Sequence, residues 1–172
     1  ALYDVLNNVY VDIDVQGEAH YNEHKAFIKM IDRGSFNSQT IVTCDRGYES
    51  YNNFTHVIQK GCYFLIRIRE CVASSMVSDT TISDNEFDVK ISKFLTRKQT
   101  KAVKNNCTCH FLPSSTTFDY LSEDRQFYPI SFRIVCFQLQ DGSYECVATN
   151  LDEREFPPRV LKELYHLRWE IE

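Results

Sequence analysis

The chain has 172 residues, 43% of them apolar, enough for one sizeable core with a smaller appended lobe. No apolar run reaches the ~18 residues of a membrane span, and no basic-then-apolar leader opens the sequence. A net charge of −5 speaks against broad electrostatic attachment to nucleic acid, though not against local basic contacts beside acidic metal ligands.

Residues 1–16 give two apolar runs around Asn7-Asn8, a pair that tolerates left-handed backbone, so a β-hairpin is predicted. In its second arm Val9, Val11, Ile13 and Val15 point one way, and Tyr10, Asp12 and Asp14 the other. From Asn22 to Arg33 the pattern turns helical: Asn22 suits the N-cap, Phe27, Met30 and Ile31 share a face, and Gly34 ends it. Thr40 to Cys44 is a short buried strand that ends at Asp45. Tyr51, Phe54 and Ile58 mark a second helix closed by Gly61, and residues 62–69 form another strand. A strand–helix–strand unit of this length implies parallel strands and α/β layering.

From about residue 70 the character changes. Residues 72–84 are rich in Ser and Thr, β-like pieces follow at 86–95, 127–139 and 143–151, and 101–126 is polar and irregular. Asp141-Gly142 between two apolar runs is the strongest hairpin signal in the chain. We therefore divide the sequence into a first core part (1–69), a β-rich insertion (70–150) and a final helix (151–172). Pro157-Pro158 opens that helix, which is expected to run to the last residue.

Two constellations could carry chemistry. On the final helix Val160, Leu164, Leu167 and Ile171 form the expected core stripe, while Tyr165, Arg168 and Glu172 at i, i+3, i+7 form a second stripe about a quarter turn away. Spacing alone favours the plainer reading, a solvated flank carrying an i,i+4 ion pair. Asp45 follows a buried strand at its carboxyl end, where open α/β sheets collect ligands, although an aspartate there also serves as a turn or cap residue. A strand-end Asp converging with a helix-borne Glu would hold Mg²⁺ for phosphoryl transfer. Three further groupings are weaker: Asp12 with Asp14 on one strand face, His20 with His24 at i, i+4, and Cys107-Thr108-Cys109-His110. The last lacks a second ligand pair at zinc-finger spacing. Seven cysteines at irregular spacings fit a reducing cytosol better than a disulfide framework.

CDRGYES followed by a helix and then KGCYFLIRIR resembles the block around the second catalytic aspartate of bacterial insertion-sequence transposases. LYHLRWEIE is similar to their signature Tyr-x2-Arg-x3-Glu-x6-Lys as far as the glutamate, and the opening hairpin and NEHKAF resemble the family's preceding elements. The resemblance implies a ribonuclease-H-like α/β fold: a mixed sheet with flanking helices, interrupted by a β-rich insertion before the last helix. It implies an Asp-Asp-Glu triad holding two Mg²⁺ or Mn²⁺ ions, with Asp45 the second aspartate and Glu172 the glutamate. Tyr165 and Arg168 would contact the phosphate backbone of DNA at the transposon end. The family's first aspartate precedes the hairpin and its lysine follows Glu172, so both fall outside the chain. The expectation is a catalytic-domain fragment, inactive alone, of a self-associating cytoplasmic enzyme that works on nucleoid DNA and on no membrane. Two alternatives stand beside it: a degenerate or domesticated remnant that binds DNA or protein without catalysis, and a metal-dependent nuclease or resolvase of the same core. The long insertion counts against the second.

Overall fold

The computed structural model describes residues 1–17, 19, 21–69, 86–122 and 126–168. Glu172, Ile171, His20 and the Ser/Thr-rich stretch 72–84 lie outside those residues, so the expectations placed on them are not addressed by the fold.

Strands β1 (Leu2–Asp4) and β2 (Val9–Asp12) form the expected hairpin, with Asn8 at φ 54° in the left-handed turn. They make a two-stranded sheet of their own, and the apolar residues of the second arm remain open to solvent: Val9 is 49% and Val11 55% exposed. Asp12 and Asp14 tie this hairpin to helix α1 (Glu23–Arg33), where Arg33 donates to Asp12 at 2.6 Å and stands 3.7 Å from Asp14. The Asn22 side chain accepts from the Lys25 N–H at 2.9 Å, and Phe27, Met30 and Ile31 are the buried residues of α1, as the spacing predicts.

Strand β3 (Ile41–Cys44) runs parallel to β4 (Tyr63–Arg67), joined through α2 (Tyr51–Gln59), which confirms the crossover unit. Ser50 caps α2, and Gly61 at φ +75° supplies the left-handed turn after it. After residue 85 the chain continues as β5 (Phe87–Thr96), α3 (Lys101–Lys104), β6 (Cys109–Phe111), β7 (Tyr128–Gln138) and β8 (Tyr144–Thr149). The Asp141-Gly142 turn joins β7 to β8 in antiparallel register, with Gly142 at φ +85°. The stretch 101–126, expected to be irregular, contains α3 and β6. Both are too short to show a period, and β6 is fixed by pairing with β5 (Leu95 beside His110) rather than by its own sequence.

These strands make one six-stranded mixed sheet in the order β3-β4-β8-β7-β5-β6. The segment 86–149 thus extends the sheet that β3 and β4 begin, with β8 antiparallel to β4. Both faces are covered around β4, where Phe64, Leu65 and Ile66 are all fully buried. On one face α1 and α2 bring Phe27, Ile31, Phe54 and Val57 against Phe64, Ile66 and Ile134, and the Phe54 and Phe64 rings stack at 4.6 Å. On the other face α4 (Pro158–His166) packs on Leu65, Val135 and Val147. The loop into α4 is pinned by Arg133, which is 5% exposed: it bonds Asp88 and donates to the carbonyls of Leu151 (2.9 Å) and Phe156 (3.2 Å).

Helix α4 corrects the predicted stripe. Its buried residues are Leu161 and Tyr165; Val160, Leu164 and Leu167 are partly buried, and of these Leu164 packs against the same cluster. The helix is rotated because a tyrosine ring offers more apolar area than a valine, so the face containing Tyr165 seats deeper. Among the described residues no helix is long and apolar enough to cross a membrane.

Candidate active site at the end of β3

Strand alternation decides what meets beneath α4. Val42, Phe64, Ile66, Cys146 and Ala148 lie in the core cluster under α1 and α2, whereas Leu65 and Val147 lie in the cluster under α4 and Ile41 packs against it. Counting by twos carries that second face to Asp45 past the end of β3, Arg67 at the end of β4, and Glu145 near the start of β8. All three sit at one end of the sheet, since β3 and β4 finish where antiparallel β8 begins. The C-terminal turn of α4 closes over the same end with Tyr165, and Arg168 follows two residues past the helix.

Asp45 is the most open member, with its side chain 53% exposed. Its Oδ1 accepts from the Arg46 N–H at 2.7 Å and so caps a single 3₁₀ turn, Arg46–Tyr48. Two guanidiniums face that same oxygen: Arg67 Nη1 and Arg168 Nη2, each at 4.0 Å. Arg168 is largely buried, its side chain 18% exposed, with its guanidinium carbon 5.3 Å from the centre of the Tyr165 ring. Tyr165 is fully buried. Its hydroxyl has no hydrogen-bond partner among the described residues, and burial pushes the phenol up to about 12, opposed by Arg168. The phenol therefore stays protonated across the physiological range.

The structure thus brings together Asp45, Tyr165 and Arg168, three of the four residues singled out in the sequence. Glu172 lies outside the described residues. Two charged members escaped the sequence reading. Glu145 is 5% exposed and presents Oε2 to Arg67 Nε at 3.5 Å, while its Oε1 is buried with no hydrogen bond among the described residues. Burial raises its pKa, and Arg67, His166 and Arg168 oppose the rise. The available signal was parity: a glutamate two residues before Val147 on an inward-facing strand is out of place unless a cation meets it. Arg67, two residues after Leu65, carries the same signal.

The weaker groupings lie elsewhere. Asp12 and Asp14 pair with α1, and His24 hydrogen-bonds Asn53 at 2.8 Å. Cys109 and His110 are on the outermost strand β6, next to an exposed Cys107. Among the described residues no three His, Cys, Asp or Glu side chains are arranged so that they could hold a metal ion.

Residues 1–172 match the family model of the transposase DDE domain. The chain belongs to the transposase DDE domain family. DNA transposition is the work of this family, a phosphoryl transfer on DNA that generally uses divalent metal ions, and the mixed sheet between helices is compatible with its ribonuclease-H-like fold. A search of curated proteins returns no match. Viewed as part of a DDE domain, the Asp45 carboxylate offers the hard oxygen donors that Mg²⁺ prefers, at an open sheet end. The donor type fits. The number is incomplete among the described residues, so Asp45 would need carboxylates from beyond them.

Proposed function

We propose that this DDE domain is the catalytic part of an insertion-sequence transposase, with Asp45 and Glu172 holding metal and Tyr165 and Arg168 engaging the DNA end. The observation that carries the reading is the approach of Arg168 to 4.0 Å from Asp45, which puts a phosphate-binding side chain beside a solvent-open carboxylate. When bound, two Mg²⁺ or Mn²⁺ ions would supply Lewis-acid stabilisation of the attacking and leaving oxygens. The chain's own residues do the positioning: Asp45 and Glu172 bind the ions, and Arg168 fixes the phosphate backbone. The reaction is hydrolytic nicking at the transposon end, followed by attack of the freed 3′-hydroxyl on target DNA, and the working enzyme self-associates. Its setting is the bacterial cytoplasm, at the nucleoid.

The first aspartate would come from a strand not contained in these residues. Support for this comes from the topology: β3 is an edge of the six-stranded sheet, and the β1–β2 hairpin stands as a separate sheet with exposed Val9 and Val11. On this reading residues 1–69 and 151–172 are core, 70–150 is the insertion, and the fragment is inactive alone. Mg²⁺-dependent cleavage of end DNA by the purified chain would overturn the inactivity. Retained cleavage and joining after Asp45→Ala or Glu172→Ala in a longer, active transposase would overturn the site. One observation favours the alternative of a non-catalytic remnant: two guanidiniums already face the open Asp45 carboxylate. DNA binding by the longer protein with no joined product in a strand-transfer assay would decide for that alternative.

A further inference from the structure

We propose that Glu145 is a positioning residue that holds Arg67 back from Asp45 and so keeps the Asp45 carboxylate open to a divalent cation. The inference rests on the reading of Asp45 as a metal-binding residue.

The geometry comes first. A guanidinium offers a planar fork of donors, and an unrestrained Arg beside a carboxylate closes to a bidentate pair with N···O near ~2.8 Å. Arg67 does not close on Asp45. Its Nη1 stops 4.0 Å away, while the opposite edge of the fork, Nε, lies 3.5 Å from Glu145 Oε2. Arg67 is therefore drawn between two carboxylates on the same sheet face. The deeper of them is fixed within β8, its side chain 5% exposed against 53% for Asp45.

The placement of Glu145 is hard to explain as a packing device. Phe137 stands across from it on β7 and Val147 follows on the same face, both in the cluster under α4, and an apolar side chain at 145 would join them without burying a charge. Instead the position holds a carboxylate with one oxygen, Oε1, buried and without a hydrogen bond among the described residues. The upward pKa shift from burial agrees that the charge costs stability where it sits. What the charge does is set the angle of Arg67. Without it, the attraction between Arg67 and Asp45 is unopposed, and the fork closes over both Asp45 oxygens that a cation would use.

The test uses the longer protein that carries the first aspartate, with Mn²⁺ as the probe. Glu145→Gln keeps the shape and removes the charge, Arg67→Met keeps the aliphatic stem and removes the cation, and Asp45→Asn removes the site. Free Mn²⁺ measured by electron paramagnetic resonance should show weaker Asp45-dependent binding in Glu145→Gln, on the order of fivefold. Adding Arg67→Met to Glu145→Gln should restore it, because no guanidinium remains to close. A double variant as weak as Glu145→Gln alone would make Glu145 a ligand and overturn the proposal, as would unchanged binding in Glu145→Gln. A second readout needs no metal: in the Glu145→Gln background the ¹⁵N side-chain resonances of Arg67 should shift when Asp45→Asn is added, because the closed fork is released. Absence of that shift overturns this proposal alone. If wild-type Mn²⁺ binding ignores Asp45→Asn, the metal reading fails and this inference falls with it.

Discussion

Arg168 Nη2 stands 4.0 Å from Asp45 Oδ1, although the first residue lies two positions past α4 and the second directly follows β3. The contact depends on two packing events. Tyr165 must seat in the cluster of Leu65, Val135 and Val147 to fix the rotation of α4, and Arg133 must hold the loop that delivers the helix. Arg168 is then three residues beyond Tyr165 on the same side, lying against its ring.

Arg168→Ala should weaken binding of a transposon-end duplex by the longer protein and reduce the slope of log K against log salt by about 1, one phosphate contact's worth. Arg168→Lys should recover the salt slope but not the full affinity, because an ammonium cannot reproduce the planar fork. A salt titration by fluorescence anisotropy checks both. An unchanged slope in Arg168→Ala would remove Arg168 from the DNA interface.

Asp45→Asn separates chemistry from folding. The side chain is half exposed, and its hydrogen bond to the Arg46 N–H can be kept by the Asn carbonyl, so unfolding free energy should change by less than about 1 kcal/mol. Cleavage and strand transfer by the longer enzyme should be lost. Thermal melts alongside an end-cleavage assay make the comparison, and a large loss of stability would show Asp45 to be a structural residue.

The sequence made the α/β layering legible through the crossover from β3 to β4, and the β7–β8 hairpin through Asp141-Gly142. Two things are not legible there. Periodicity does not fix the rotation of α4, because Val160 and Leu164 are as apolar as Leu161 and only the depth available to Tyr165 selects the buried side. Glu145 lies in an apolar stretch whose inward face depends on pairing with β4, and periodicity alone does not reveal a partner strand.

Glu145 gives a pH-dependent stability of a particular sign. Its folded pKa is raised above the ordinary value of 4.5 by burial, so the native state binds the proton more tightly than the unfolded chain. Its contribution is therefore most favourable below the unfolded pKa and is lost as pH rises through the folded one. Glu145→Gln should raise the melting temperature at pH 7–8, and the advantage should shrink on acidification and vanish below about pH 4. Melting curves of both proteins across pH 3.5–8 test this. A variant less stable at pH 7 would mean that the Arg67 pair outweighs the burial.

Asp119 works in the opposite sense. Its carboxylate accepts from Asn52 Nδ2 at 2.8 Å and stands 3.0 Å from His56 Nε2, while Asp32 lies 2.8 Å from the other ring nitrogen. This clamp joins α1, α2 and the loop before β7. The Asn52 bond, assisted by His56, holds the Asp119 pKa below its ordinary value, so the stabilisation is present at neutral pH and is lost as pH falls through the folded pKa. Because the side chain is 51% exposed, solvent screening limits the effect, and Asp119→Ala should cost about 1–2 kcal/mol in urea melts at pH 7. The cost should diminish toward pH 3.

Tyr165→Phe distinguishes a buried anchor from a DNA contact. The ring is fully buried and the hydroxyl has no hydrogen bond among the described residues, so deleting the oxygen removes a desolvated polar atom and little else. Folding stability should stay equal or rise by up to about 1 kcal/mol. If the phenol reaches a phosphate when DNA binds, the last turn of α4 must move to expose it, and Tyr165→Phe should weaken end binding severalfold despite unimpaired folding. Tyr165→Ala, by contrast, empties the pocket over Leu65 and Val147 and should cost about 3–5 kcal/mol. Equal DNA affinity for wild type and Tyr165→Phe would assign the residue to the core alone and leave Arg168 as the phosphate contact.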